Sequence, residues 1–214
     1  MTDAGELKRE IEIKLDLGSF TNYLKLVGFL GQIEQEERHI NGFFDTEDLR
    51  LSKKGWALRV RAESTRGLVT VKSIPTQEGL AVVRQEIESE IARGQALDII
   101  NLGKDVMSLD NMPVDHVRQQ VGNRGLTRLV MFENVRQRKV FKIADHNYLL
   151  EVDKTEYNDG SVDYELELEL SDTRNLEVIE DKLRRLFHSL DIPFVHQSES
   201  KFRRALKKAN IFNG

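Results

Sequence analysis

The chain has 214 residues, 32 lysines and arginines against 36 aspartates and glutamates, a formal net charge of −4, and no cysteine. That length suits one domain, 1–214, with a substantial core. The missing cysteines exclude disulfides, thiolate metal sites and cysteine nucleophiles, and the near-balanced charge argues against nucleic acid as a partner. No apolar run reaches the length of a membrane span, and the polar segment Met1–Arg9 reads as neither signal nor transit peptide, so a cytoplasmic protein off the membrane is expected.

Period-2 alternation, the mark of a strand with two unlike faces, runs through much of the chain. Arg9–Leu17 sets Glu10, Glu12, Lys14 and Asp16 on one face and Ile11, Ile13, Leu15 and Leu17 on the other. Ser19 then caps a predicted helix with Phe20, Tyr23, Leu24 and Val27 as its inward face. A strand over Glu34–Asp45 follows. Leu58–Arg61 alternates Leu, Arg, Val, Arg, and Val69–Lys72 puts Thr70 and Lys72 opposite Val69 and Val71. Arg84–Ile91 aligns Arg84, Glu86, Glu88 and Glu90. Arg93–Met112 reads as helical. Pro113 and Gly122 frame a short helix with Val114, Val117 and Val121 inward. Arg136–Ile143 aligns Arg136, Arg138, Val140 and Lys142, and Leu149–Thr155 aligns Glu151 and Asp153. Tyr164–Leu170 sets Glu165, Glu167 and Glu169 against Leu166, Leu168 and Leu170. Leu176, Ile179, Leu183, Leu186, Phe187 and Leu190 form one amphipathic helix, and Phe202, Ala205, Leu206 and Ala209 a last one. The result is about eight strands without βαβ spacing, hence an α+β, mainly β chain with an antiparallel sheet.

Such a sheet ordinarily turns its polar face to water. Three features argue for enclosure instead. The polar positions are filled by Glu, Asp, Arg and Lys where a solvated face mixes in Thr, Ser, Gln and Asn. The charges are sorted by strand, and same-face neighbours stand only about 6.5–7 Å apart, so each row needs partners of opposite sign. A sheet of roughly eight strands can also close into a barrel, with the amphipathic helices covering an apolar exterior. Arginines at i and i+2 present planar forks suited to phosphate oxygens. Carboxylates without histidine or thiolate suit Mg²⁺ or Mn²⁺.

The ordered set of motifs resembles the CYTH proteins, the triphosphate tunnel metalloenzymes. Glu10-Ile11-Glu12-Ile13-Lys14 matches their E-x-E-x-K signature. Phe43-Phe44-Asp45-Thr46, Leu58-Arg59-Val60-Arg61, Lys72, Arg84-Gln85-Glu86, Arg138, Glu151-Val152-Asp153, Tyr164-Glu165-Leu166-Glu167 and Ser200-Lys201-Phe202 follow in the family's order. The stretch Phe132–Glu167 looks most like the tripolyphosphatase branch. The resemblance implies an eight-stranded antiparallel closed β-barrel with flanking helices, binding a triphosphate inside. It implies that Lys14, Arg59, Arg61, Lys72, Arg138 and Lys201 hold phosphate. Glu10, Glu12, Asp153, Glu165 and Glu167 would bind one or two divalent ions, supported by Glu86, with Lys14, Glu165 and Glu167 closest to the chemistry. Arg136 competes with Arg138, and Arg84, Glu88, Glu151 and Glu169 stay open. The implied reaction is hydrolysis of a triphosphate, inorganic tripolyphosphate first. The alternatives are a thiamine, nucleoside or RNA triphosphatase, an adenylate cyclase, or a non-catalytic polyphosphate or nucleotide sensor. Monomer and homodimer are equally compatible.

Other signals are discounted. His39, His116, His146, His188 and His196 have no paired-ligand spacing and are expected at the surface or in the core. Lys201, Arg203, Arg204, Lys207 and Lys208 are expected to be mostly the solvated side of the terminal helix, Lys201 excepted. Trp56, beside Gly55, is expected to pack. Neither a P-loop nor a G-x-S-x-G elbow is present.

Overall fold

The computed structural model describes residues 6–143 and 145–211; residues 1–5 of the polar N-terminal segment lie outside that range. Its strands are β1 (Glu6–Asp16), β2 (Gln35–Asp45), β3 (Trp56–Ala62), β4 (Arg66–Ser73), β5 (Thr76–Glu78), β6 (Ala81–Ala92), β7 (Thr127–Ile143), β8 (His146–Tyr157), β9 (Val162–Glu169) and β10 (Val195–His196). Its helices are α1 (Phe20–Leu30), α2 (Arg50–Lys53), α3 (Arg93–Leu102), α4 (Met112–Val121), α5 (Leu176–Ser189) and α6 (Lys201–Lys208). Eight strands, in the order β1-β9-β8-β7-β2-β3-β4-β6, close into an antiparallel barrel because β1 pairs with β9 and also with β6. The two pairings share β1 unequally. Residues 6–13 face β6 and residues 12–16 face β9, which gives the barrel its stagger. β5 and β10 are short additions on β6 and β1.

The barrel is apolar outside and charged inside, as the alternation predicted. Ile11, Ile13 and Leu15 of β1, with Leu150, Val152, Leu166 and Leu168, pack under Tyr23, Leu26 and Leu30 of α1 and Ile179, Leu183, Leu186 and Phe187 of α5. Leu58, Val60, Val69 and Val71 pack under Ala96, Ile99 and Ile100 of α3 and Val114, Val117 and Val121 of α4. Each such buried side chain is worth about 1.5–3 kcal/mol. α3 approaches β4 so closely that a Cβ on Gly67 would meet Ala96 Cβ at 2.6 Å. A third cluster, Phe43, Val130, Phe132, Tyr157, Ala205 and Leu206, lies under α6. No helix among the described residues is long and apolar enough to cross a membrane.

Several element expectations need correction. On α1 the buried stripe is Tyr23, Leu26 and Leu30, while Phe20 and Leu24 are exposed. At 100° per residue those two lie on the flank of that stripe. Arg93–Met112 is not one helix. Gly103, at φ 70°, ends α3, and only a 3₁₀ turn at Val106–Ser108 follows. β7 begins nine residues before Arg136, and a register shift against β2 at Phe43/Phe44 breaks its alternation there. β5, β10 and α2 are too short to leave a periodic signal.

Asp45 has a structural task. Its carboxylate accepts from Thr46 N (2.7 Å), Leu51 N (2.9 Å), Ser52 N (2.8 Å) and Ser52 Oγ (2.7 Å), anchoring α2 before β3. Asp45→Ala leaves those donors without a buried acceptor and is expected to cost roughly 2–4 kcal/mol, read from urea unfolding.

Candidate active site

Strand pairing sets the acidic and basic rows side by side. Lys14 stands opposite Glu167, and Glu151 opposite Glu167 from the other neighbour. Asp153 faces Glu165, Arg136 faces Asp153, and Arg138 faces Glu151. Across the barrel Arg59 faces Thr70, Thr70 faces Glu88, Lys72 faces Glu86, and Glu10 faces Arg84. These side chains surround a cavity of about 670 Å³ lined by Glu10, Glu12, Lys14, Arg59, Arg61, Lys72, Glu86, Arg136, Arg138, Glu167 and Lys201. Asp153 and Glu165, also expected there, sit behind Lys201 in the wall and are 0% and 1% exposed.

Asp153, Glu165 and Glu167 offer carboxylate oxygens within 4.8 Å of one another, all buried. Burial pushes Asp153 and Glu167 up, but Arg136 and Lys201 hold Asp153 well below the usual carboxylate range, and Lys14, Lys201 and Arg136 do the same for Glu167. The triad already accommodates a cation. Lys201 Nζ donates to Glu167 Oε1 at 2.9 Å and to Glu165 Oε1, and forms an ion pair with Asp153 Oδ2 at 2.8 Å. Lys14 Nζ lies 2.6 Å from Glu167 and 3.3 Å from Glu12. Three hard oxygen donors without sulfur or nitrogen fit Mg²⁺ or Mn²⁺.

The other expected metal residues, Glu10, Glu12 and Glu86, join no such group among the described residues. Arg84 forks between Glu10 and Glu12, and Lys72 lies 2.9 Å from Glu10 and 2.8 Å from Glu86. Burial pushes Glu10 up, but Lys72 and Arg84 outweigh it and hold it well below its ordinary value. Burial, with Glu151 and Glu10 nearby, pushes Glu169 up to about 7.

Arg59 and Arg61 are the poorly neutralised cations of the cavity. Arg59 donates to Thr70 Oγ1 at 3.1 Å and approaches Glu88 at 3.5 Å, and its buried Nε finds no partner among the described residues. Arg61 donates to Asn41 Oδ1 at 2.9 Å, and its ion pair with Glu63 is stretched to 3.8 Å. Burial, then Arg59 and Arg136, push the Arg61 guanidinium down to about 9. Arg136 and Arg138 share the inward face. Arg136 is spent on Glu151, Asp153 and Glu167, whereas Arg138 bridges Glu37 (2.6 Å) and Glu151 (2.8 Å).

His39 is a core histidine, as expected. Burial, then Arg61 and Arg136, push it down to about 2, so it is neutral. Its Nε2 lies 3.4 Å from Glu37 and 3.8 Å from Glu63, carboxylates already paired with Arg138 and Arg66. Trp56 packs edge-on against His116, with centroids 4.2 Å apart.

Arg204 corrects the reading of the terminal helix. It is 8% exposed and donates to Asp163 (2.7 Å), Glu165 (2.5 Å) and Tyr157 Oη (3.2 Å). The i, i+3 spacing from Lys201 carried the signal, since it places both cations on one helix face. Arg204→Ala leaves Glu165 with Lys201 alone and Asp163 with only Lys208 at 3.4 Å, and is expected to cost stability in chemical denaturation, by less than the ~3–5 kcal/mol of a fully orphaned buried charge.

Residues 8–206 match the CYTH domain. No curated protein matches the chain by sequence. Among solved structures, a candidate adenylyl cyclase from Hippeastrum, described as revealing a dominant triphosphatase activity, is 25% identical with a TM-score of 0.81, over 93% of this chain and 96% of that one. A candidate adenylate cyclase from Bacillus halodurans is 23% identical, with a TM-score of 0.66 over 92% and 97% of the two chains. The PH1819 protein from Pyrococcus horikoshii is 18% identical, with a TM-score of 0.59 over 92% and 99%. With the family's motifs placed around one charged barrel interior, the chain belongs to the CYTH domain family.

Proposed function

We propose that this chain hydrolyses the terminal phosphoanhydride of a triphosphate, with inorganic tripolyphosphate as the leading substrate. The observation that carries this reading is the pair of under-neutralised guanidiniums, Arg59 and Arg61, lining the same cavity as the carboxylate Glu167. A polyanion supplies the charge those arginines lack. The activity described for the Hippeastrum relative supports the same class of reaction.

Arg59, Arg61 and Arg138 would grip phosphate oxygens through planar forks, and Lys72 would add a point charge. Asp153, Glu165 and Glu167 would hold Mg²⁺ or Mn²⁺, with Glu12 beside them across Lys14 and Glu10 and Glu86 further along the lining. Such an ion, when bound, supplies Lewis acidity and lowers the pKa of a coordinated water. Lys14, held between Glu12 and Glu167, would donate a hydrogen bond to the leaving phosphate oxygen. Fixed donors aimed at the transferring group stabilise its charge without reorganising. An inorganic chain suits the lumen because it offers anionic oxygens along its whole length.

Phosphate release from tripolyphosphate, ATP and thiamine triphosphate, each with Mg²⁺, Mn²⁺ or EDTA, tests this. Metal-dependent release fastest from tripolyphosphate is expected. Cyclic AMP and pyrophosphate from ATP would replace the reading with a cyclase. Tight binding without any release would replace it with a sensor.

A further inference from the structure

We infer that Lys201 is an internal stand-in for the divalent ion: its ammonium holds the Asp153, Glu165 and Glu167 carboxylates together until a metal displaces it, and the freed side chain then turns into the tunnel to meet phosphate. This rests on the metal-binding reading above.

An ammonium has three protons to donate. Lys201 donates to Glu165 and Glu167 and sets its charge 2.8 Å from Asp153, the three carboxylates standing within 4.8 Å of one another. Its Nζ therefore occupies the place from which one ion can touch all three. A Mg²⁺ ion there would stand about 2.0–2.1 Å from each oxygen, which leaves no room for the nitrogen.

Charge gives the same answer. Lys14 and Arg136 already face Glu167, Arg136 faces Asp153, and Arg204 faces Glu165. A divalent ion added beside Lys201 would crowd like charges in a dry pocket, where they repel strongly. Replacing Lys201 avoids this. Lys201 and Arg204 do not substitute for each other on Glu165, because Lys201 takes Oε1 and Arg204 takes Oε2.

The move needs no helix displacement. Ser200 caps α6 by accepting from Arg203 N, Arg204 ties it to Asp163 and Glu165, and Phe202 stacks on Phe43 with centroids 4.4 Å apart. The backbone stays while the four-carbon stem swings. Lys201 already lines the cavity that holds Arg59 and Arg61. Metal would thus bind before triphosphate and recruit one more cation for it.

Mn²⁺ binding to the full chain without substrate, read from the electron paramagnetic resonance signal of free Mn²⁺, tests the exchange. Lys201→Gln is expected to bind Mn²⁺ about tenfold more tightly than the parent, roughly the effect of removing one competing charge contact. Arg203→Gln, which removes an exposed charge from the same helix, is expected to leave affinity unchanged. Equal or weaker binding by Lys201→Gln, with the parent still binding, overturns the exchange alone. No binding by either protein overturns the metal reading with it. The unaltered chain gives a second measurement. Mn²⁺ should speed acetylation of Lys201 Nζ, followed by peptide mass spectrometry, while leaving Lys14 protected. Slowed or unchanged acetylation of Lys201 on saturation with Mn²⁺ overturns the proposal.

Discussion

Glu167→Gln is expected to remove metal-dependent triphosphate hydrolysis, with a loss of roughly 10²–10³-fold or more, while the chain still folds. Glu167 is where the two halves of the site meet. It touches Lys14 at 2.6 Å, Lys201 at 2.9 Å and Arg136. The amide keeps the shape and an acceptor oxygen but loses the charge that a divalent ion requires. The fold survives because each cation keeps another partner: Lys14 keeps Glu12, Lys201 keeps Asp153 and Glu165, and Arg136 keeps Asp153 and Glu151. The stability loss should therefore stay below the ~3–5 kcal/mol of a fully orphaned buried charge. Phosphate release and near-ultraviolet circular dichroism on the same preparation check both halves. Glu165→Gln should behave alike. A folded Glu167→Gln protein hydrolysing at the parental rate would sink the site assignment.

Arg61→Met is expected to do two opposite things: raise the stability of the ligand-free chain by a few kcal/mol, and weaken triphosphate binding by about tenfold or more. The charged guanidinium is buried beside Arg59 and Arg136 with a stretched ion pair, which pushes it down to about 9. A base whose pKa is lower folded than unfolded opposes folding while both states are charged. That penalty is full below about 9. It fades as pH rises through that value toward the ordinary arginine range. The stability advantage of Arg61→Met should accordingly be largest near neutral pH and shrink above pH 9. Thermal melts with and without tripolyphosphate separate the effects. Ligand at 100 times its dissociation constant stabilises the parent by about 2.7 kcal/mol and should do far less for the variant. A variant no more stable than the parent would mean that Arg61 is satisfied without ligand.

Residue order alone determined the faces. Because a strand's side chains alternate strictly, Glu10, Glu12 and Lys14 had to share one side of β1, and Ile11, Ile13 and Leu15 the other. The same rule put Arg59 with Arg61 and Glu165 with Glu167, and the strength of these patterns made a helix-covered barrel legible. It failed where periodicity is short or broken: at α2, β5 and β10, and at the irregular first half of β7. Which charge meets which was a matter of register between strands distant in sequence, and only the tertiary structure decided it. Closure of β1 onto β6 set Arg84 between Glu10 and Glu12, while pairing of β1 with β9 set Lys14 between Glu12 and Glu167. Packing of α6 against the barrel end turned Arg204 from an expected surface charge into a buried partner of Glu165. The strand face of Glu10, Glu12 and Lys14 was written in the sequence, but its division between carboxylates paired with Arg84 and a lysine paired with Glu167 depended on the closed barrel, since ion pairs form across strands that only folding brings together.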